Sequence, residues 1–177
     1  MECTVISEKS KLLDWTKSGE LIDRFLSFSL NRKPLLTKIS AAIEAEATSE
    51  SFYSRTVQIL SQVDGYLDDL AFSIDCDVVF GGSTISGLLK SAGISLREDY
   101  KDPLERLLDY MELVQCFERE KLFVFVNLRS FYSDDAVSRF LQSALAHGYR
   151  LLLVDSQERP YLPEEQRLVI DKDLCEI

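Results

Sequence analysis

Histidine occurs once in this chain of 177 residues, tryptophan once and cysteine four times. That scarcity excludes much chemistry. With His147 as the sole imidazole there is no HExxH pair, and a Ser–His–Asp triad through it has neither GxSxG nor any nucleophile elbow to support it. Cys3, Cys76, Cys116 and Cys175 form no CxxC pair, and three of them read as small buried residues rather than zinc ligands. The glycines and prolines are too few and scattered to make a repeat or a low-complexity segment. No EF-hand loop is present, and no apolar run approaches the length of a membrane span. The opening Met1-Glu2-Cys3-Thr4 is no signal peptide, so a reducing cytoplasm is expected, with no membrane partner.

What the chain does have is acid. Its formal net charge is −10, which argues against non-specific nucleic-acid binding if the charge is evenly spread. It is not. Residues 1–43 carry seven Lys or Arg against five Asp or Glu, and residues 44–177 carry 13 against 25. One reading is an acidic, soluble surface. The other is a basic face set apart from an acidic body.

The organising stretch is 121–155. Leu122-Phe123-Val124-Phe125-Val126 is an unbroken apolar run, as expected of a strand buried on both faces. Ser133 is a helix N-cap with Asp134 and Asp135 in the first turn, and Val137, Phe140, Leu141, Ala144 and Leu145 mark one apolar face. His147 and Gly148 end the helix, and Leu151 to Val154 is a second apolar run. Strand, helix and strand predict a βαβ unit. Upstream, Lys11 to Trp15 reads as a short strand, and Glu20 to Leu30 as strand or helix. Helices are predicted from Pro34 to about Ala47 and from about Ser51 to Phe72, forming an antiparallel hairpin with Phe52, Val57, Leu60, Val63, Leu67 and Leu70 inward. Ile74 to Phe80 reads as extended, 85–90 as a helix stopped by Gly93, Ile94 to Leu96 as a short strand, and Asp102-Pro103-Leu104-Glu105 as a strong helix start. Leu168-Val169-Ile170 is the last predicted strand. The fold class is therefore α/β with a helical-hairpin leg. The head takes residues 1–30 and 74–177, and the leg takes 31–73.

Three constellations bear on function. Gly81-Gly82-Ser83-Thr84 precedes a helix, which suits phosphate binding by backbone N–H groups. It lacks the Lys and the spacing of GxxxxGK[ST], and a turn ending in an N-cap is the better reading. Asp75 and Asp77 stand two apart in a strand-like stretch, so both carboxylates point to one face. They can share a divalent cation such as calcium, or be two solvated acids. Arg32, Lys33 and Lys38 cluster at the start of the first long helix, with Arg55 on the second. Cations so placed can contact phosphates.

The series Ile85-Ser86-Gly87-Leu88-Leu89-Lys90-Ser91-Ala92-Gly93, Lys121 to Asn127 with Phe131, and Ile170-Asp171-Lys172-Asp173-Leu174 resembles the Csn2 family, CRISPR-associated adaptation proteins of type II-A systems. The resemblance implies a degenerate P-loop-like α/β head without a nucleotide-binding loop, helical legs and a ring-shaped homotetramer. It implies calcium near the head–leg junction and no catalysis. The partners it implies are double-stranded DNA ends, other CRISPR adaptation proteins and the effector nuclease, in the spacer-acquisition step of antiviral defence. The family's opening strands and first helix have no counterpart here, so a smaller sheet with an exposed edge is expected. Acids expected across Val78 to Gly82 and at Gly87 are absent. Two other classes of function stay open: a nucleotide-dependent phosphotransferase using Gly81 and Gly82, and a protein-interaction adaptor meeting partners through its acidic body.

Overall fold

The computed structural model describes residues 7–8, 11–12, 14–74, 77–118, 121–173 and 175. In chain order the elements are β1 (Ser7–Glu8), β2 (Lys11–Leu12), α1 (Trp15–Ser18), β3 (Gly19–Ile22), α2 (Lys33–Ala47), α3 (Tyr53–Ser73), α4 (Ile85–Ala92), α5 (Pro103–Phe117), β4 (Leu122–Val126), a 3-10 turn (Leu128–Ser130), α6 (Asp134–Ala146) and β5 (Arg150–Val154). Two compact units result, one of residues 1–30 with 98–177 and the other Asn31–Arg97. Residues 74–97, which the sequence groups with the head, fall in the second unit.

The first unit is built on a parallel sheet in the order β3-β4-β5. Gly19 lies opposite Leu122, and Leu122 opposite Arg150. The central strand is β4, and its Phe123, Val124 and Phe125 are all buried, which explains a run without alternation. The Phe125 ring meets Phe25 at 6.3 Å and Phe140 edge-on at 5.5 Å. Burying one such phenyl group stabilises by roughly 1.5–3 kcal/mol. On the edge strand β5, Leu152 and Val154 remain exposed. α5 starts at Pro103 with Asp102 accepting the Leu104 N–H at 2.9 Å, and α6 starts after Ser133, which accepts from Ala136. α5 buries Leu104, Leu107, Tyr110, Met111 and Val114.

Several local expectations are corrected. The stretch 11–15 is not one strand: Asp14 caps α1 by accepting the Thr16 N–H at 3.1 Å. α1 then lays the Trp15 ring over Gly19, where any side chain would have to displace the indole. The ambiguous stretch 20–30 is a short strand followed by irregular chain that buries Phe25, Phe28 and Leu30. Neither 94–96 nor 168–170 is a strand; Ile170 makes an isolated bridge. Cys116 and Cys175 are both exposed, so the expectation of three buried cysteines among the four is not met.

In the second unit, α2 and α3 have the expected lengths, but the apolar stripe of α3 is only partly covered: Leu60, Val63 and Leu67 are half-buried. Phe52, Val57 and Leu70 are 44%, 45% and 43% exposed, and Ala71 is the one residue α3 buries. α2 buries Leu35 and Ile39, and it packs against α4. Periodicity gives α3 an apolar face without saying what covers it.

Candidate nucleic-acid interface

The start of α2 is held by one side chain. The Asn31 amide donates to the Leu96 carbonyl at 3.1 Å and accepts the Leu96 N–H at 2.6 Å, imitating a strand partner. Arg32 follows as the N-cap, extended at φ −82°, ψ 131°, with no side-chain cap bond. Pro34 in the first turn suits a position whose N–H would go unpaired. Lys33 and Lys38 are exposed, and Arg32 is half-buried. No acidic residue occupies the first turn. Cations at the positive end of a helix dipole repel it, so their placement does nothing for the helix itself. It does create a local positive potential in an acidic chain.

The four sequence-nominated cations do not form one patch in a single copy. Lys33 and Lys38, five residues apart, point about 140° away from each other around the helix. Arg55 is exposed near the start of α3. Between it and Lys33 lie the whole of α2, about 22 Å long at 1.5 Å per residue, and the turn 48–52. Lys33, Lys38 and Arg55 make no ion pair among the described residues. Acids populate the second halves of the two helices: Glu44 and Glu46 on α2, Asp64, Asp68 and Asp69 on α3.

The loop before α4 is a cap. Thr84 accepts the Gly87 N–H at 3.0 Å, and Gly93 closes the helix at φ 73°. The Ser83 N–H donates to the Asp64 carboxylate at 2.7 Å, so a phosphate placed there would meet a like charge. Asp77 is exposed in a segment without regular structure, and Asp75 lies outside the described residues. A calcium shell takes six to eight oxygens. Among the described residues no three His, Cys, Asp or Glu come together as a metal site. The described residues by themselves do not make up such a shell.

The first unit holds a polar centre that has no counterpart among the sequence motifs. Arg129, in the 3-10 turn after β4, is buried, yet it carries a full set of partners. Its Nε and Nη2 donate to Asp134 Oδ1 at 3.0 and 2.8 Å, Nη2 donates to the Pro160 carbonyl at 2.6 Å, and Nη1 lies 3.5 Å from Glu165. Asn127 makes the turn possible by adopting the left-handed conformation, φ 56°. Its side chain accepts the Ser156 N–H at 2.9 Å and ties the ends of β4 and β5. A cleft of about 720 Å³ opens beside Arg129, Asp155 and Leu151. Burial pushes the Asp155 carboxyl above the ordinary carboxylate range, against the pull of Arg129 and Arg159. One Asp155 oxygen, Arg159 Nε, Arg106 Nε and the Tyr132 hydroxyl are buried without a hydrogen-bond partner, positions suited to ordered water. Asn-Leu-Arg-Ser has no spacing that announces this; its one local signal is an Asn directly after a strand.

Among the described residues no helix is long and apolar enough to cross a membrane. A family model described as CRISPR-associated protein (Cas_Csn2) matches residues 1–174, far more than the second half that carries the motif resemblance. No curated protein matches the chain.

Proposed function

Because the chain belongs to the CRISPR-associated Csn2 family, we propose that it is a non-catalytic, ring-forming subunit that binds double-stranded DNA ends during spacer acquisition. Its role is CRISPR-associated. The observation that carries the finer reading is the family match over nearly the whole chain. In this reading the head is of the degenerate P-loop-like type, the subunit assembles as a homotetramer, and it works beside other adaptation proteins and the effector nuclease.

Two features of the molecule support it. The partly uncovered stripe on α3 is apolar surface of the kind that marks a protein–protein contact. A second copy is its simplest cover, since most soluble oligomers are symmetric. The exposed cations Lys33, Lys38 and Arg55 are scattered in one copy. A ring repeats each of them once per subunit, so sparse cations become a lining around an axis. Phosphate attraction is local, with a Debye length of ~10 Å at ordinary salt, so the acidic body does not forbid it. Phosphate contacts carry no base information, so binding is expected to ignore sequence.

The test compares linear duplex with a relaxed covalently closed circle of the same sequence. Linear duplex is expected to bind and the circle to bind poorly. Arg32→Glu with Lys33→Glu and Lys38→Glu is expected to weaken the linear complex and to flatten its salt dependence, by about 0.9 in the log–log slope for each phosphate no longer neutralised. Equal affinity for circle and linear DNA contradicts threading. An unchanged slope in the triple variant moves the DNA surface elsewhere.

A further inference from the structure

We propose that the open edge of β5 is a docking site for an extended segment of a partner protein, one that carries apolar side chains and a basic residue. The inference stands apart from the DNA-binding reading. Among the described residues β5 has one neighbouring strand, β4. The Val154 carbonyl accepts the Asn127 N–H at 2.7 Å, so Val154 turns its backbone groups toward β4. Backbone groups alternate in direction along a strand, so Leu151 and Leu153 turn their N–H and C=O groups to the open edge. A row of such groups is a template for a further strand. Nothing guards it: Leu151 to Val154 include no charge and no proline. Leu152 and Val154 also expose apolar side chains there.

The cleft of about 720 Å³ in the first unit lies beside this strand. β5 lines it on one side, Leu141 and Leu145 of α6 on another, and residues 164–170 on a third. Those residues form no strand with β5. The charges around the cleft select the occupant. Arg129 is matched by Asp134 and Glu165, Arg167 by Glu158 at 3.2 Å, and Arg159 by the nearby Asp155. No arginine lining the cleft is left over for a phosphate, which disfavours a nucleotide. Glu164 has only neutral partners among the described residues, Ser138 and Gln142. The cleft therefore keeps a surplus negative charge, which suits a lysine or arginine on the incoming strand. Main-chain bonds at Leu151 and Leu153 supply affinity, and apolar side chains set against Leu152 and Val154 supply specificity.

The experiment selects phage-displayed random heptapeptides on the full-length protein. Enriched peptides are expected to alternate apolar and polar residues and to carry Lys or Arg. One enriched peptide is then synthesised unmodified, with N-methyl groups on its odd-numbered amides, and with them on its even-numbered amides. Methylating the amides that face β5 is expected to weaken binding about 2- to 13-fold for each hydrogen bond lost. Methylating the other set is expected to leave binding unchanged. Leu152→Lys is expected to abolish peptide binding, and Glu164→Gln to weaken it by up to about 5-fold. Circular dichroism of both variants confirms that the helices persist. Equal effects of the two methylated forms overturn strand addition, whatever the variants do. No enrichment, or enrichment of acidic peptides, overturns the chemistry assigned to the partner. Full peptide binding by Leu152→Lys moves the site away from β5. A particle mass that falls in Leu152→Lys gives the edge to a second copy of this chain and overturns the partner assignment.

Discussion

Arg129 offers the sharpest stability test, because its surroundings set the magnitude. The side chain is 3% exposed, while its partners Asp134 and Glu165 are 42% and 18% exposed. Replacing Arg129 by Met removes the fork to Asp134, the bond to the Pro160 carbonyl and the approach to Glu165. Breaking a fully buried pair costs roughly 3–5 kcal/mol. Solvent already screens Asp134, and a surface pair contributes about 0–1 kcal/mol, so the expected loss is about 2–3 kcal/mol. For a chain of this size that lowers Tm by roughly 4–12 °C. Arg129→Lys keeps the charge but loses the planar fork, so it should lose more than half as much. Urea unfolding at fixed protein concentration reads both variants. Limited proteolysis should also cut the segment around Pro160 sooner in Arg129→Met, since that carbonyl loses its donor. A loss under about 0.5 kcal/mol in Arg129→Met, with unchanged proteolysis, would refute the claim that this arginine anchors the loops after β4 and β5.

Asp155 titrates in the opposite sense to a salt-bridged carboxylate. Its folded-state pKa is raised by burial, so its ionised form costs stability at neutral pH, and that cost vanishes below the ordinary carboxylate value of 3.8. Asp155→Asn is therefore expected to melt higher than the parent at pH 7, with the difference closing as pH falls into the carboxylate range; a variant less stable at pH 7 contradicts this. Leu67→Asp on the α3 stripe should reduce the particle mass toward that of one subunit while leaving the far-ultraviolet spectrum unchanged, and an unaltered mass would take α3 out of the interface. For the calcium that the family resemblance implies, a calcium-dependent rise in Tm in the parent chain, absent after Asp75→Asn with Asp77→Asn, would identify the pair as ligands; no rise in the parent removes that assignment.

The βαβ core is legible in the sequence because each of its signals is local. Leu122 to Val126 lacks alternation because both faces of β4 are covered, with Phe123, Val124 and Phe125 all buried, and Ser133 with Asp134 and Asp135 starts α6 within one turn. Residues 20–30 are ambiguous for a physical reason: Phe25, Phe28 and Leu30 are buried by irregular chain, which follows neither a helical nor a strand period. The α3 stripe reads as inward because periodicity reports that a face is apolar, not what meets it. Leu168 to Ile170 has strand composition, but β-propensity needs a neighbouring strand to express it. The functional clusters are hardest to see. Asn31 reaches Leu96 across 65 residues, and Arg129 reaches Pro160 across 31. Neither pairing leaves a spacing that a sequence window can detect. The sequence groups its four cations by position in the chain, and the helical geometry separates Lys33 from Lys38 and both from Arg55.

The central claim is that a ring loads onto DNA through a free end, and end-blocking tests it most directly. One linear duplex is prepared with both ends free, with one end capped by a bulky protein, and with both ends capped. Binding of the full-length chain is measured at a single moderate salt concentration. Binding is expected to the first two and little or none to the third, with binding restored when a restriction cut releases one cap. Equal binding to the free and doubly capped duplexes would contradict end loading and would place the DNA-binding surface on the open outside of the particle.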